Sequence, residues 1–598
     1  MPSMGVSLNS VLSTLSPLDW IIVAVYMIAS LVLGVYFTRR ASGSMSSYFV
    51  SGRDLSWWLL GTSMVATTFA ADTPLAVTGW IRTDGIWKNW FWWNYVFSHV
   101  FIVLVFARLW RRAEVITDNE LNEIRYSGKP AAFLRGFKAF YYSTLFNFIV
   151  MGWVISAMAK VLKIFFGVDT TVAIVICISI AFFYTMMSGL WGVALTDFLQ
   201  YFIALTGTII LAYVVINSPA IGGFSGFLHK LNTIDAKHLA FIMTPSGGKP
   251  VSEGFWSSSF FTFFVYVTVI WWSSHNTDGG GYFIQRMCSA KNERHSVAGT
   301  AWFAVNHYII RLWPWVLVAL ASLIIYPRAD AARGDDEAMY VVVIKDFLGP
   351  GLKGLLFVSF LAAFMSTLST HLNWGASYVM NDIYRRFIHK DASERHYIKV
   401  SRICTLVLTV LAGYFAYHID NIGKAWIFLW AMSAGIGLVI LLRWFWWRIN
   451  AWSEISALAS SLLAILALVI YTKSRGIPLE LRHQILVIPV SLVIWISVTF
   501  ITRPEPLETL SAFYKRVRPW GWWRPVSELN PEIERPRLTP VMINWVFGVS
   551  FILFGMMGVG KVLLGSFTLG IVMIAVSLVS GLIVYSRLKK ELADSSHQ

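Results

Sequence analysis

Eight ionisable side chains stand inside long apolar stretches of this chain: Asp72, Asp197, Asp278 and Arg311, with His99, His275, His307 and His371. Charge at membrane depth needs a partner or an aqueous cavity, so the carboxylates and Arg311 are functional candidates by default. A guanidinium cannot lose its proton, and Arg311 therefore calls for an acid, Asp278 or Asp72, or for a substrate. The histidines lack metal-ligand spacing and read as neutral, hydrogen-bonded packing residues. A different chemistry is offered by Ala363, Ser366, Thr367 and Thr370, which recur at i, i+3, i+4 and i+7 with Ser369 beside them. That spacing makes one helical face. Such a face either lets helices pack closely or, with freed backbone carbonyls, gives the neutral oxygen shell that suits a desolvated alkali cation.

Two segments must position these groups. In the first, Trp57 to Pro74, one span holds small residues, threonines, Asp72 and a proline; in the second, Trp271-Trp272-Ser273-Ser274-His275-Asn276-Thr277-Asp278 runs into Gly279-Gly280-Gly281. Backbone freed at membrane depth is tolerated only where protein or a water-filled cavity satisfies it. Paired interruptions at corresponding places are the sequence mark of a transporter's binding site. Each opens a run of five spans, 55–217 and 255–443, and an odd number makes the two runs enter the membrane from opposite sides, as an inverted repeat does. The residues expected to line a solute site are Thr67, Asp72 and Thr73 from the first break, Trp271, Trp272, Asn276 and Asp278 from the second, and Arg311.

The composition demands a membrane. Of 598 residues 57% are hydrophobic and 13% charged, with mean hydropathy +0.62, against about 25% charged in soluble domains. Apolar runs of roughly 20 residues give about 15 spans. The fold class expected is an all-α polytopic membrane protein with a five-plus-five inverted-repeat core and broken first helices. A helix at 18–37 precedes the core, and accessory helices at 452–590 follow it, with a Pro-rich cytoplasmic loop at 503–540. With the N-terminus outside and the C-terminus inside, the cytoplasmic side carries about twice as many Lys and Arg as the other, as the positive-inside rule requires. In the loop, Trp520, Trp522 and Trp523 lie between Arg518 and Arg524 and read as an interfacial anchor. The net charge of +16 is spread over short loops, which argues against a nucleic-acid surface. Cys177, Cys288 and Cys404 have no disulfide or zinc spacing. Nucleotide loops, zinc triads and nucleophile motifs are missing, so an enzyme is not expected.

Four ordered motifs resemble the sodium:solute symporter family. Tyr184 to Gln200 follows Y-T-x-x-G-G-L-x-A-V-x-x-T-D-x-x-Q with departures at Ser188 and Gly192; Tyr48-Phe49-Val50-Ser51-Gly52-Arg53 resembles Y-F-x-x-G-R. Gln285-Arg286 with Ser289-Ala290-Lys291 matches Q-R-x-x-S/A-A-K, and Ser366-Thr367-Leu368, Asn373 and Met380 to Tyr384 track the family's hydroxyl helix. The resemblance spans about residues 18–443. It implies sodium-driven symport of a small organic solute (a sugar, an amino acid or a carboxylate) across the plasma membrane, by a chain expected to work as a monomer in the lipid bilayer. The implied sodium ligands are the carbonyls of Ala66, Phe69 and Ala363 and the hydroxyls of Ser366 and Thr367. A second sodium, found in some members, would sit among Asp197, Ser366, Ser369 and Thr370; the alternative is that Asp197 pairs with a nearby Lys or Arg or lines the ion exit. Arg311 aligns with a lysine that sugar-transporting members place near substrate. The stretch His275 to Gly281 is longer and richer in glycine than the sugar transporters' version. Proton coupling through Asp72 or Asp197 is the nearest rival, and a transporter-like sensor a more distant one.

Overall fold

The computed structural model describes residues 14–41, 44–186, 190–243, 258–327 and 335–594. Ser188 and Gly189 of the signature stretch, and residues 255–257 at the start of the expected second repeat, lie outside the described residues. Regular structure among the described residues is helical, apart from two isolated bridges, Leu55 with Ala290 and Trp446 with Trp522. Among those residues ten helices are long and apolar enough to cross a bilayer, or eleven if the bent pair Ile422–Ser433 and Gly437–Phe445 is one span. Three shorter apolar helices, Pro17–Leu33, Thr170–Thr185 and Ser259–Ser273, accompany them.

Burial separates an inner core from an outer layer. The apolar window of Leu352–Ile388 is 94% buried within the protein, whereas that of Phe567–Glu591 is 17% buried. Ile571, Val572, Leu578 and Leu582 on the outer helix point away from the protein, a surface that lipid tails accept because they are as apolar as leucine. The hydroxyl helix, Leu352–Ser377, lies at the centre, packed on Leu190–Ile216 and on the N-terminal helix Pro17–Ala41.

Both expected interruptions are present. The first helix runs Trp57–Thr67 and restarts as Asp72–Thr83. A tight turn ends it, Phe69 N–H donating to the Ala66 carbonyl at 3.0 Å. Pro74 sits in the first turn of the restart, where a missing N–H costs nothing. The last carbonyls of a helix have no intrahelical donor, and here distant side chains supply them. Arg311 Nη1 donates to the Val65 carbonyl and Thr367 Oγ1 to the Thr67 carbonyl, each at 2.9 Å. In the second break Ser259–Ser273 stops, residues 274–280 cross without regular structure, and Gly281–Ser289 resumes. Gly280 has φ +66°, and a Cβ there would stand 2.2 Å from Asn276 Oδ1. A Cβ on Gly281 would stand 2.3 Å from Trp374 Cε2, so the glycines let this backbone lie directly on the hydroxyl helix.

One feature was invisible in the hydropathy pattern. Ile102–Phe106, Tyr142–Phe146, Tyr266–Ile270, Asn306–Ile310 and Tyr378–Ile388 are π-helical. A π turn inserts an extra residue and swings the following side chains round the axis. Another feature corrects an expectation. Trp520 and Trp523 are not an interfacial anchor: both are buried, Trp523 Nε1 donating to the Trp444 carbonyl at 2.9 Å under the Arg125 guanidinium. The helix Leu507–Val517 folds the loop back against the core, and only Trp522 of the three stays exposed.

Candidate solute and cation site

The two breaks meet at one cavity of about 240 Å³. Thr67, Thr68, Ala70, Asp72 and Thr73 enter from the first, and His275, Asn276, Gly280 and Gly281 from the second. Arg311 and Thr367 complete the polar wall. Of the expected solute residues, Thr67, Asp72, Thr73, Asn276 and Arg311 are therefore brought together.

Trp271, Trp272 and Asp278 are not on this wall. Trp271 still belongs to the helix before the break and packs between Phe97 and Trp545, with ring centres 5.7 and 6.1 Å away. Trp272 turns its indole back along the helix, donating to the Thr268 carbonyl at 2.7 Å. Asp278 Oδ2 accepts from Arg443 Nη2 at 2.6 Å and Trp444 Nε1 at 2.8 Å. Arg443 also reaches Glu454, which Lys138 holds at 3.0 Å. This buried, ion-paired group, with Asp118 beside it, borders a separate void of about 10 Å³, room for about one water.

Arg311 takes neither acid expected of it. No carboxylate among the described residues lies within ion-pairing distance. It donates to the Val65 carbonyl and, at 2.6 Å, to His307 Nδ1. Arginine has only donors, so Nδ1 is an acceptor and the ring proton of His307 sits on Nε2. The guanidinium thus holds the negative end of the first half-helix, and its Nε has no partner. Asp72 is held from one side only. Its Oδ2 accepts from Trp426 Nε1 at 3.1 Å, while Oδ1 finds no partner in any other residue.

Sequence reasoning placed the four histidines in packing roles, and each does have a hydrogen-bond partner: Tyr308 for His99, Ser433 for His275, Thr68 and Arg311 for His307, Asn147 for His371. All four nevertheless line the cavity, together with Trp92, Tyr95, Trp153, Trp374 and Trp426. The histidines were singled out by their place in apolar spans. The tryptophans carried no signal, because 29 of them are scattered through the chain. Two lining residues, Phe146 and His307, sit on π turns.

The expected cation ligands lie along the seam between the first break and the hydroxyl helix. Thr367 bridges it through the Thr67 carbonyl. Phe69 and Ala363 border a small apolar void of about 10 Å³. Ser366 Oγ donates to Asp197 Oδ1 at 2.6 Å, and Ser63 Oγ to Asp197 Oδ2 at 2.5 Å. Ser369 Oγ is back-bonded to the Ser366 carbonyl. Thr370 Oγ1 accepts from Arg286, whose guanidinium is also 3.5 Å from Asp197.

Known proteins place this architecture. The chain is 24% identical over 578 residues to sodium/glucose cotransporter 4 of Danio rerio, covering 88% of this chain and 84% of that protein. The sodium/glucose cotransporter of Vibrio parahaemolyticus is 23% identical over 470 residues, with 75% and 84% covered. The osmoregulated proline transporter OpuE of Bacillus subtilis is 22% identical over 444, with 73% and 85% covered. In three dimensions the chain shares the fold of a Na⁺-coupled sialic acid symporter, solved substrate-bound and outward-open, at TM-score 0.66 and 19% identity over 82% of this chain and 99% of that one. The family model for sodium:solute symporters matches residues 48–463, a range holding both breaks, the hydroxyl helix and the cavity between them, and the chain belongs to that family of membrane transporters.

Proposed function

We propose that this protein carries a small, neutral, hydroxylated solute inward together with sodium across the plasma membrane. The halves 55–217 and 255–443 act as inverted repeats that rock about the cavity to alternate access, within about 15 spans, the N-terminus outside and the C-terminus inside. The observation that carries the reading is the cavity where both breaks meet, walled by Asp72 with its unpartnered Oδ1. The cavity's volume of about 240 Å³ suits a compact solute. Aromatic faces cover the apolar side of such a ligand, while the polar wall of Thr67, Asp72, Thr73 and Asn276 takes its hydroxyls. A carboxylate solute fits less well, because the Asp72 carboxylate stands on the same wall and like charges repel. Sodium would be held by the carbonyls of Ala66, Phe69 and Ala363 and the hydroxyls of Ser366 and Thr367.

The test is counter-flow in proteoliposomes with labelled glucose and labelled proline, sodium exchanged for choline at fixed pH. Sodium-dependent glucose exchange is the expected result. Exchange of proline alone would replace the solute class by zwitterions, the ammonium on Asp72. Exchange indifferent to sodium but driven by a proton gradient would replace sodium by a proton carried on Asp72 or Asp197.

A further inference from the structure

Two of the histidines around the cavity are tied at Nδ1 in opposite ways. His307 and Arg311 stand four residues apart across the π turn Asn306–Ile310, and Arg311 Nη2 donates to His307 Nδ1 at 2.6 Å. Thr68 Oγ1 lies 3.2 Å from the same nitrogen, and its own proton goes to the Met64 or Val65 carbonyl. His371, on the hydroxyl helix, meets Asn147. Asn147 Nδ2 donates to the His371 carbonyl at 2.9 Å, which only the amide nitrogen can do, so Oδ1 is the end that faces His371 Nδ1 at 2.8 Å. That oxygen only accepts, and Nδ1 therefore carries the proton. No carboxylate among the described residues pairs with either ring, and an unpaired charge there would be costly, so both rings are neutral. Their tautomers are then opposite: His307 has an N–H at Nε2, and His371 has a lone pair there.

Each Nε2 has no hydrogen-bond partner among the described residues, and neither is sealed off by the packing. Both rings line the solute cavity. Phe303 and Trp92 hold His307, with ring centres 4.8 and 5.3 Å away, and Tyr282 and Trp374 hold His371 at 5.3 and 5.7 Å. None of His307, His371 and Asn147 is a fixed position of the four family motifs. We propose that His307 and His371 read the solute as a fixed donor and a fixed acceptor, with Arg311 and Asn147 as the positioning residues that set this polarity. A hydroxyl both gives and takes a hydrogen bond, so a polyol such as a sugar satisfies the two nitrogens without changing either ring. A carboxylate only accepts and leaves the His371 lone pair unmet; an ammonium only donates and leaves the His307 N–H unmet. A site built this way rejects an analogue that lacks the hydroxyl, because its own polar groups are then left unpaired.

The inference rests on the cavity being the solute site, and the test separates the two. Binding to purified full-length protein at saturating sodium is measured for glucose and for each singly deoxygenated glucose. His307→Leu and His371→Leu are each expected to weaken glucose binding about tenfold, and each loss is expected to vanish for the one deoxyglucose that lacks the paired hydroxyl. His307→Gln, which can return an N–H, is expected to recover part of the binding. In ¹⁵N spectra of histidine-labelled protein, with peaks assigned by His307→Gln and His371→Gln, the proton is expected on Nε2 of His307 and on Nδ1 of His371. Arg311→Met is expected to mix the two tautomers of His307. The spectra of the unaltered protein decide the case even where a leucine variant fails to fold, and the opposite tautomer at either ring would overturn the pair. Glucose bound equally well by both leucine variants, or a loss that is uniform across the deoxy series, would also overturn it and leave the solute site standing. No glucose binding by the unaltered protein would remove the proposed solute, and this inference with it.

Discussion

Asp72 and Asp278 are alike in type, both buried, and both at a break in a membrane helix. Their surroundings are opposite. Asp278 is gripped by Arg443 and Trp444 and joined through Arg443 to Glu454 and Lys138, two acids against two bases. Asp72 has one indole donor and an oxygen with no partner in another residue. Buried charge is costly unless it is paired and hydrogen-bonded. The first carboxylate is complete and borders a void that admits about one water. The second is incomplete and borders the cavity where the two breaks meet, and in the proposed function its missing partner arrives with the solute. A polar residue in a broken helix is therefore not enough to mark a binding site; what marks it is unfinished pairing.

The strongest way to break this contrast is Arg443→Met. It leaves Asp278 and Glu454 to share Lys138, and removing one partner of a buried ion pair costs about 3–5 kcal/mol. A large fall in thermal midpoint in detergent, partly restored by adding Asp278→Asn, is expected. Wild-type stability would mean that the Asp278 group is not structural.

Asp72→Asn should behave in the opposite way. It removes an under-paired charge, so stability should hold or rise while solute affinity falls ten- to hundredfold, roughly 1.4–2.7 kcal/mol. Uptake kinetics beside a thermal melt would check this. Unchanged affinity would take Asp72 out of the solute site.

Ser366→Ala and Thr367→Ala sharpen the comparison from the cation side. Each lost oxygen should raise the sodium needed for half-maximal uptake about tenfold, near 1.4 kcal/mol. Solute affinity at saturating sodium should change little. Sodium titrations of uptake that superimpose on wild type for both variants would move the cation elsewhere.

The smallest effect is expected from Trp426→Phe, which keeps an aromatic face but deletes the donor to Asp72 Oδ2. A single hydrogen bond is worth about 0.5–1.5 kcal/mol, so solute affinity should change by a few-fold. A shift as large as that of Asp72→Asn would show that Trp426 itself meets the solute.

Much of the architecture was legible along the chain. Apolar runs of membrane length announce helices, and glycine, proline and aspartate inside such runs announce breaks, because each acts on its own few residues of backbone. The hydroxyl spacing of Ser366, Thr367 and Thr370 put them on one face for the same local reason. Which acid faces the cavity and which faces Arg443 was not legible. Asp72 meets Trp426 across 354 residues, Asp278 meets Arg443 across 165, and Arg286 meets Ser63 across 223. The motif containing Arg286 was plain, yet its side chain's destination was not. Trp271 and Trp272 were assigned to the cavity by nearness in sequence, and the direction of their helix carried them away. The sequence by itself determined helices, breaks and membrane residence, which depend on local stereochemistry and on transfer from water. Only the packed structure decided which buried charges are fully paired and which are left incomplete, because pairing is settled by side chains that folding brings together from distant helices.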